Sequence, residues 1–266
     1  MTRKALFYDI DGTISSNYTQ EVPKSAIRAI RAAREAGHLT FINTGRTREC
    51  VLQEIVDVGF DGICCGCGTQ VIYHGESIFR YHLEEDFCKE IEKAVMEADC
   101  GAILEGSEFY FVLPDRPFYD NFRDGGALNK DNSMTMHFSW EPGTARFDKF
   151  VLFPDEKSDL SGIWKVIEGK MDIIDRKDLY EIVPSGFSKA SAIRTVQEKF
   201  HVALEDCYVF GDSNNDMSMF QYCPNAIAMG EHDADLDPYT SLVTDTVEND
   251  GLLKAMKKLG LIPEEV

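Results

Sequence analysis

The chain has 266 residues, 44% of them hydrophobic and 27% charged, and carries a formal net charge of −19. This length allows one large domain or two modest ones, and no apolar run approaches the ~20 residues needed to cross a bilayer. The acidic balance, without a local basic patch, argues against nucleic-acid or anionic-membrane partners and favours small-molecule work and divalent cations.

The N-terminus, MTRKALFYDID, has a short basic start, but acids interrupt it before any long apolar region, so no signal peptide is expected. Eight cysteines are scattered over a chain too large to need staples, and they read as reduced thiols of a cytoplasmic protein. The densest patch holds Cys64, Cys65 and Cys67, but neighbouring residues of a strand point to opposite faces, which spoils Cys64 and Cys65 as joint zinc ligands.

In chain order the first third alternates: strand Ala5–Tyr8, helix Pro23–Ala36 ended by Gly37, strand Leu39–Ile42, helix Thr47–Val58, strand Asp61–Cys65. Such alternation predicts a parallel sheet covered on both faces. Thr69–Tyr73 and Ser77–Tyr81 read as a hairpin turned by His74-Gly75-Glu76.

From about Leu83 the texture changes to helix Glu84–Ala98, strands Ala102–Leu104 and Phe109–Leu113, an aromatic and glycine-rich stretch from Pro117 to Trp140, and strand Phe147–Phe153. A helix near Ser158–Glu168 and strands Met171–Asp175 and Leu179–Val183 follow, an α+β unit with antiparallel pairing. Alternation then resumes with helix Ser188–Phe200, strand Cys207–Phe210, helix Asn214–Tyr222, strands Ala226–Met229 and Ser241–Val243, and helix Gly251–Leu259. The predicted architecture is α/β: a doubly wound, Rossmann-like parallel-sheet core made of residues 1–82 and 185–266, with an α+β cap domain, 83–184, inserted between them.

Ligands of open parallel sheets bind outside the carboxyl ends of the strands. Asp9 and Asp11 follow the first strand, Asn43-Thr44-Gly45-Arg46 the second, and Gly211-Asp212-Ser213-Asn214-Asn215-Asp216 the strand ending at Phe210; Lys189, opening a helix, reaches the same place. Converging carboxylates repel unless a cation or a proton intervenes. All-oxygen ligands without histidine suit a hard ion, and few carboxylates suit Mg²⁺ better than Ca²⁺; Thr13 and a missing terminal acid make an EF-hand a poor reading. Each piece alone is weak, since turn carboxylates are commonly caps, and a lysine in a first helical turn is commonly just solvated. The six histidines lie outside these motifs and lack metal-ligand spacing.

Asp9-Ile10-Asp11-Gly12-Thr13, Thr44-Gly45-Arg46, Lys189 and the Gly211–Asp216 run, in this order, resemble the motifs of the haloacid dehalogenase superfamily of aspartate-nucleophile phosphohydrolases. The long insert and the form GDSNNDMSMF are similar to the Cof-like subfamily, whose cap sits in that position. The resemblance implies Mg²⁺-dependent hydrolysis of a small phosphorylated metabolite, such as a sugar phosphate, through an aspartyl-phosphate. It implies Asp9 as nucleophile and metal ligand, Asp11 as acid–base binding metal through its backbone carbonyl, Asp212 as the remaining direct ligand, and Asp216 holding metal waters and Lys189. Thr44, Gly45, Lys189 and Asn215 would bind the phosphoryl group, and Arg46 the substrate. One departure is Cys67-Gly68-Thr69, where the subfamily carries an Asn-Gly-Ala turn, because a thiol cannot replace an amide's donor and acceptor. Two other readings stay open. A sugar phosphomutase shares the DxDGT start and capped layout, against an insert in which acids outnumber bases. A phosphoaspartate receiver shares the layout of the first hundred residues but neither the insert nor the D-x-D-G-T pair, and the remaining alternative is a catalytically idle binding protein on this same fold. The aromatic stretch with Tyr110, Phe118, Tyr119, Phe122, Phe138 and Trp140 either lines the substrate crevice or packs under the cap sheet.

Overall fold

All four residues of the first strand, β1 (Ala5–Tyr8), are buried, as a strand covered on both faces requires. The computed structural model describes residues 2–106, 109–113, 135–137, 139–176 and 179–266. Helix α1 (Lys24–Glu35) buries Ala26, Ala29, Ile30 and Ala33, a stripe at helical spacing, and the chain leaves it through Gly37 at φ +90. Then come β2 (Leu39–Asn43), α2 (Gln53–Val56), β3 (Gly62–Cys65), β4 (Gln70–Tyr73) and β5 (Glu76–Arg80).

The second stretch contributes α3 (Glu85–Glu97), β6 (Gly101–Glu105), β7 (Phe109–Val112), β8 (Thr135–His137), β9 (Lys149–Phe153), α4 (Ser161–Ile167), β10 (Met171–Asp175) and β11 (Tyr180–Pro184). The last stretch adds α5 (Lys189–Phe200), β12 (Cys207–Gly211), α6 (Met217–Tyr222), β13 (Asn225–Ala228), β14 (Leu242–Val243) and α7 (Gly251–Lys258).

The chain divides into two compact units, Met1–Gly45 with Gln53–Arg80 and Ser188–Val266, and Arg46–Leu52 with Tyr81–Phe187. The first holds an eight-stranded sheet in the order β14-β13-β12-β1-β2-β3-β4-β5, parallel as far as β3 and antiparallel through the β4–β5 hairpin. The chain builds outward from β1 through β2 and β3, then returns to place β12 on the other side of β1. This reversal makes the carboxyl ends of β1 and β12 the switch point of the sheet. The second unit holds a six-stranded sheet, β10-β11-β9-β6-β7-β8, antiparallel except for β7–β8. Its core gathers Cys88, Ile91 and Val95 of α3, Ile163 and Ile167 of α4, and Ala102, Leu104, Phe150, Leu152 and Ile182 of the strands. No helix of the described residues is long and apolar enough to cross a membrane.

Three sequence expectations change. The helix expected over 47–58 is a 3-10 turn, Arg48–Cys50, then an extended Val51, then the short α2. Arg46 Nη1 donates to the Cys50 carbonyl at 3.2 Å and Arg48 Nη1 to that of Val51 at 3.4 Å, so side chains take acceptors that a continuous helix would use. The hairpin turn has two residues, His74 (φ 48) and Gly75 (φ 83), and Glu76 already pairs with Tyr73; two positive φ values match the twist of the strands. The helix expected from Asn214 opens with a 3-10 turn, Asn214–Asp216, closed by a reciprocal Ser213–Asp216 cap. Of the aromatic stretch, Phe118, Tyr119, Phe122, Phe138 and the Tyr110 side chain lie outside the described residues. Trp140 packs against the second unit's core and donates to Glu92 Oε1 at 2.9 Å.

Candidate active site

The Asp9 N–H donates to the Phe210 carbonyl at 3.0 Å and so extends the β1–β12 ladder by one step beyond the strand. Its carboxylate is buried as a result. The chain then turns at once: the Ile10 carbonyl accepts from the N–H groups of Ile14 and Ser15, both at 2.9 Å, and Asp11 bridges to Ser15. Gly12 makes the turn possible twice over. Its φ is +75, and a β carbon there would sit 2.3 Å from Asp212 Oδ2.

From β12 the chain passes Gly211, whose β carbon would sit 2.5 Å from Asp216 Oδ2, and enters the Asp212–Asp216 turn. Asp216 Oδ2 accepts from the N–H groups of Asp212 (2.9 Å) and Ser213 (3.2 Å), which folds the acidic run back upon itself. Thr13 Oγ1 donates to Asp212 Oδ1 at 3.4 Å and ties the two acidic loops together.

Lys189 is the first residue of α5. Ser188 caps that helix by accepting from the Ser191 N–H, while Ser191 Oγ accepts from the Ser188 N–H at 3.0 Å. Far from being solvated, Lys189 is only 2% exposed. Its ammonium lies 2.5 Å from Asp9 Oδ1, 2.5 Å from Asp216 Oδ1 and 3.2 Å from Asn215 Oδ1, three acceptors for three hydrogens. Asp9 Oδ2, by contrast, is buried and accepts from no described donor.

One ammonium among three buried acids leaves negative charge uncompensated. Burial above all, reinforced by Asp216 and opposed by Lys189, pushes the Asp9 carboxyl up to about 7. Burial and the neighbouring Asp216 and Asp9 push Asp212 up to about 8. For Lys189, burial pulls downward, but Asp216 and Asp9 outweigh it and hold the ammonium above the ordinary lysine value. Carboxylate oxygens of Asp9, Asp212 and Asp216 lie within 4.8 Å of one another, the one such group among the described residues. Both Asp216 oxygens are already engaged, so Asp9 and Asp212 are the side chains disposed to hold a cation, and an all-oxygen set fits a hard ion such as Mg²⁺.

Thr44 follows β2, the other neighbour of β1, and is buried; its N–H donates to the Cys64 carbonyl at 2.9 Å and its carbonyl accepts from the Cys67 N–H at 3.2 Å. Gly45 ends the same segment of the first unit, whereas Arg46 groups with the second unit and donates to Cys50. The Cys67-Gly68-Thr69 turn is a scaffold: Cys67 is left-handed at φ 55, and a β carbon on Gly68 would sit 2.5 Å from the Ser188 carbonyl. It therefore joins the Thr44 loop to the cap of α5. Sequence reasoning places Asn43 in the polar set after the second strand but assigns it no role; it is fully buried at the end of β2 and donates to the Lys189 carbonyl at 3.0 Å. The signal available was a polar residue closing an apolar strand, immediately before Thr44-Gly45-Arg46.

A family model described as haloacid dehalogenase-like hydrolase matches residues 6–256. The chain is 27% identical to the Bacillus subtilis (strain 168) protein YkrA, provisionally named a phosphatase, over 98% of this chain and 100% of that one. It is 23% identical to the pyridoxal phosphate phosphatase YbhA of Escherichia coli (strain K12), over 88% of this chain and 90% of that one. Among solved structures, a haloacid dehalogenase subclass IIB sugar phosphatase superposes with a TM-score of 0.81 at 26% identity, covering 97% of this chain and 100% of that one.

Proposed function

Because this chain belongs to the haloacid dehalogenase-like hydrolase family, we propose that it is a Mg²⁺-dependent phosphatase of small phosphate monoesters, sugar phosphates or related metabolites, working through an aspartyl-phosphate. The observation that carries this reading is the Asp9 carboxylate, buried at the switch point with one oxygen held by Lys189 and the other facing no described donor. An acid placed only for stability would have both oxygens satisfied.

In the first half-reaction the Asp9 carboxylate forms a bond to phosphorus as the bond to the leaving oxygen breaks, and Asp11 gives its proton to that oxygen. In the second, Asp11 takes a proton from water, the water oxygen bonds to phosphorus, and the Asp9–phosphorus bond breaks to release inorganic phosphate. Lys189, held rigidly by three acceptors, offers positive charge beside Asp9 where the phosphoryl oxygens gather negative charge. The Thr44 hydroxyl and Gly45 N–H are assigned to the same oxygens. Asn215 accepts with Oδ1 from Lys189 and Ser213, which turns its amide nitrogen to donate. Mg²⁺, held by Asp9, Asp212 and the backbone carbonyl of Asp11, would supply further charge neutralisation, and Asp216 would orient its waters and Lys189. Arg46 and the second unit are assigned to substrate recognition.

The test is a phosphate-release screen over phosphorylated metabolites with Mg²⁺, run beside Asp9→Asn and beside a chelator. Release by the unaltered protein alone is the expected outcome. Full activity in Asp9→Asn, or isomerisation of a sugar phosphate faster than phosphate release, contradicts the reading.

A further inference from the structure

We propose that Asn43 is a positioning residue that fixes Lys189, and through it the Asp9 carboxylate, by holding the first turn of α5. The inference rests on the reading of Lys189 as the cation beside the phosphoryl group.

Asn43 is the last residue of β2 and is 0% exposed. Its Nδ2 donates to the main-chain carbonyl of Lys189 at 3.0 Å and lies 3.7 Å from Met219 Sδ of α6. Both neighbours can only accept, so the amide's orientation is fixed by chemistry: nitrogen toward α5 and α6, oxygen away. That oxygen, Oδ1, is buried and accepts from no described donor. A buried unpaired amide oxygen costs stability. An apolar residue would fill the strand end without that cost, so packing alone does not account for an amide here, and the donor is what the site gains.

Its position explains the gain. Asn43 precedes Thr44, and its two acceptors belong to the helix that carries Lys189 and to the helix that follows Asp216. One side chain thus links the three segments that supply the cation, the phosphate loop and the acidic turn. Lys189 reaches Asp9 and Asp216 at 2.5 Å each from the first residue of its helix, where the helix backbone is least constrained by its own hydrogen bonds. The Ser188–Ser191 cap holds that turn from one side, and Asn43 holds it from the sheet.

The test uses Asn43→Ala, with Asn43→Ser as a second variant should the first fail to fold. With para-nitrophenyl phosphate and Mg²⁺, kcat should fall about tenfold to a hundredfold with KM within about threefold, the loss expected when a catalytic group is displaced by about 1 Å. A second readout needs no activity. Acetylation of Lys189 in the native protein, followed by peptide mass mapping, should quicken by up to about tenfold, the change that loss of one hydrogen bond to this turn makes in its local opening. The thiols of Cys207 and Cys223, buried in the same unit, should keep their protection. Unchanged Lys189 labelling, or labelling that rises in step with the two thiols, overturns the positioning role. Because labelling is independent of turnover, its failure is distinguishable from an unaffected Asp9→Asn, which overturns the phosphatase reading instead.

Discussion

Gly12→Ala separates backbone strain from damage to the site. At φ +75 an alanine pays roughly 1–2 kcal/mol for the left-handed conformation alone. Its β carbon would also arrive 2.3 Å from Asp212 Oδ2, 2.6 Å from Asp212 Cγ and 2.7 Å from Asn17 Nδ2. Ordinary contact is about 3.5 Å, so the Asp212 carboxylate must retreat by about 1 Å. Displacement of a catalytic group by that much costs up to about a hundredfold in rate. Gly37→Ala is the control, because φ there is +90 and nothing lies within 4 Å of the new atom. Calorimetry should show both variants melting roughly 2–8 °C lower, at about 2–4 °C per kcal/mol for a chain of this size. Phosphate release should fall about a hundredfold in Gly12→Ala and stay unchanged in Gly37→Ala. A Gly12→Ala protein as active as Gly37→Ala would refute the claim that Asp212 is held in place by the closeness of this turn.

Lys189→Met leaves Asp9 and Asp216 buried without their cation, so urea titration at neutral pH should show a loss of roughly 3–5 kcal/mol; a loss under about 1 kcal/mol means that the carboxylates have another counter-charge. The pH dependence has a definite sign. Asp9 and Asp212 titrate at about 7 and about 8 in the folded chain, above the ordinary 3.8, so the folded state keeps protons that the unfolded state has lost. Their contribution to stability is fully present below about pH 4 and is lost as pH climbs through 7 and 8. Melting in a chelator should therefore worsen over that window, and Asp212→Asn should flatten the dependence. A Mg²⁺ ion bound at the proposed site would displace those protons, so its stabilising effect should grow from pH 5 to pH 8; an equal effect at both ends contradicts a site built from Asp9 and Asp212. Ser188→Ala removes the cap of α5 and should cost about 1 kcal/mol, read as a fall in Tm of roughly 2–4 °C.

What the sequence made legible follows from burial. β1, β2 and β12 are covered on both faces, so they appear as unbroken apolar runs, and the acids and the Thr44-Gly45 pair at their ends stand out against them. Lys189 was harder to read because its surroundings are made by contacts distant in sequence. The residues around it describe an ordinary capped helix, and only folding brings Asp9 and Asp216 to its ammonium. Asn43 stands in the polar set after the second strand, but its role was hidden for a stronger reason. Its partner is a main-chain carbonyl 146 positions away, and a carbonyl has no signature in sequence. The broken helix after Thr47 has a similar cause, since nothing in the order of Arg46 and Arg48 reveals that their side chains take up the carbonyls of Cys50 and Val51.

The proposed covalent role of Asp9 is tested most directly by stereochemistry. Hydrolysis of a phosphorothioate ester made chiral at phosphorus by sulfur and two oxygen isotopes, in water labelled with the third isotope, gives a chiral inorganic thiophosphate whose configuration reports how many in-line displacements occur. Attack by Asp9 followed by attack of water makes two, and the account predicts overall retention of configuration at phosphorus. Inversion would mean that water attacks the ester directly and that Asp9 never bonds to phosphorus.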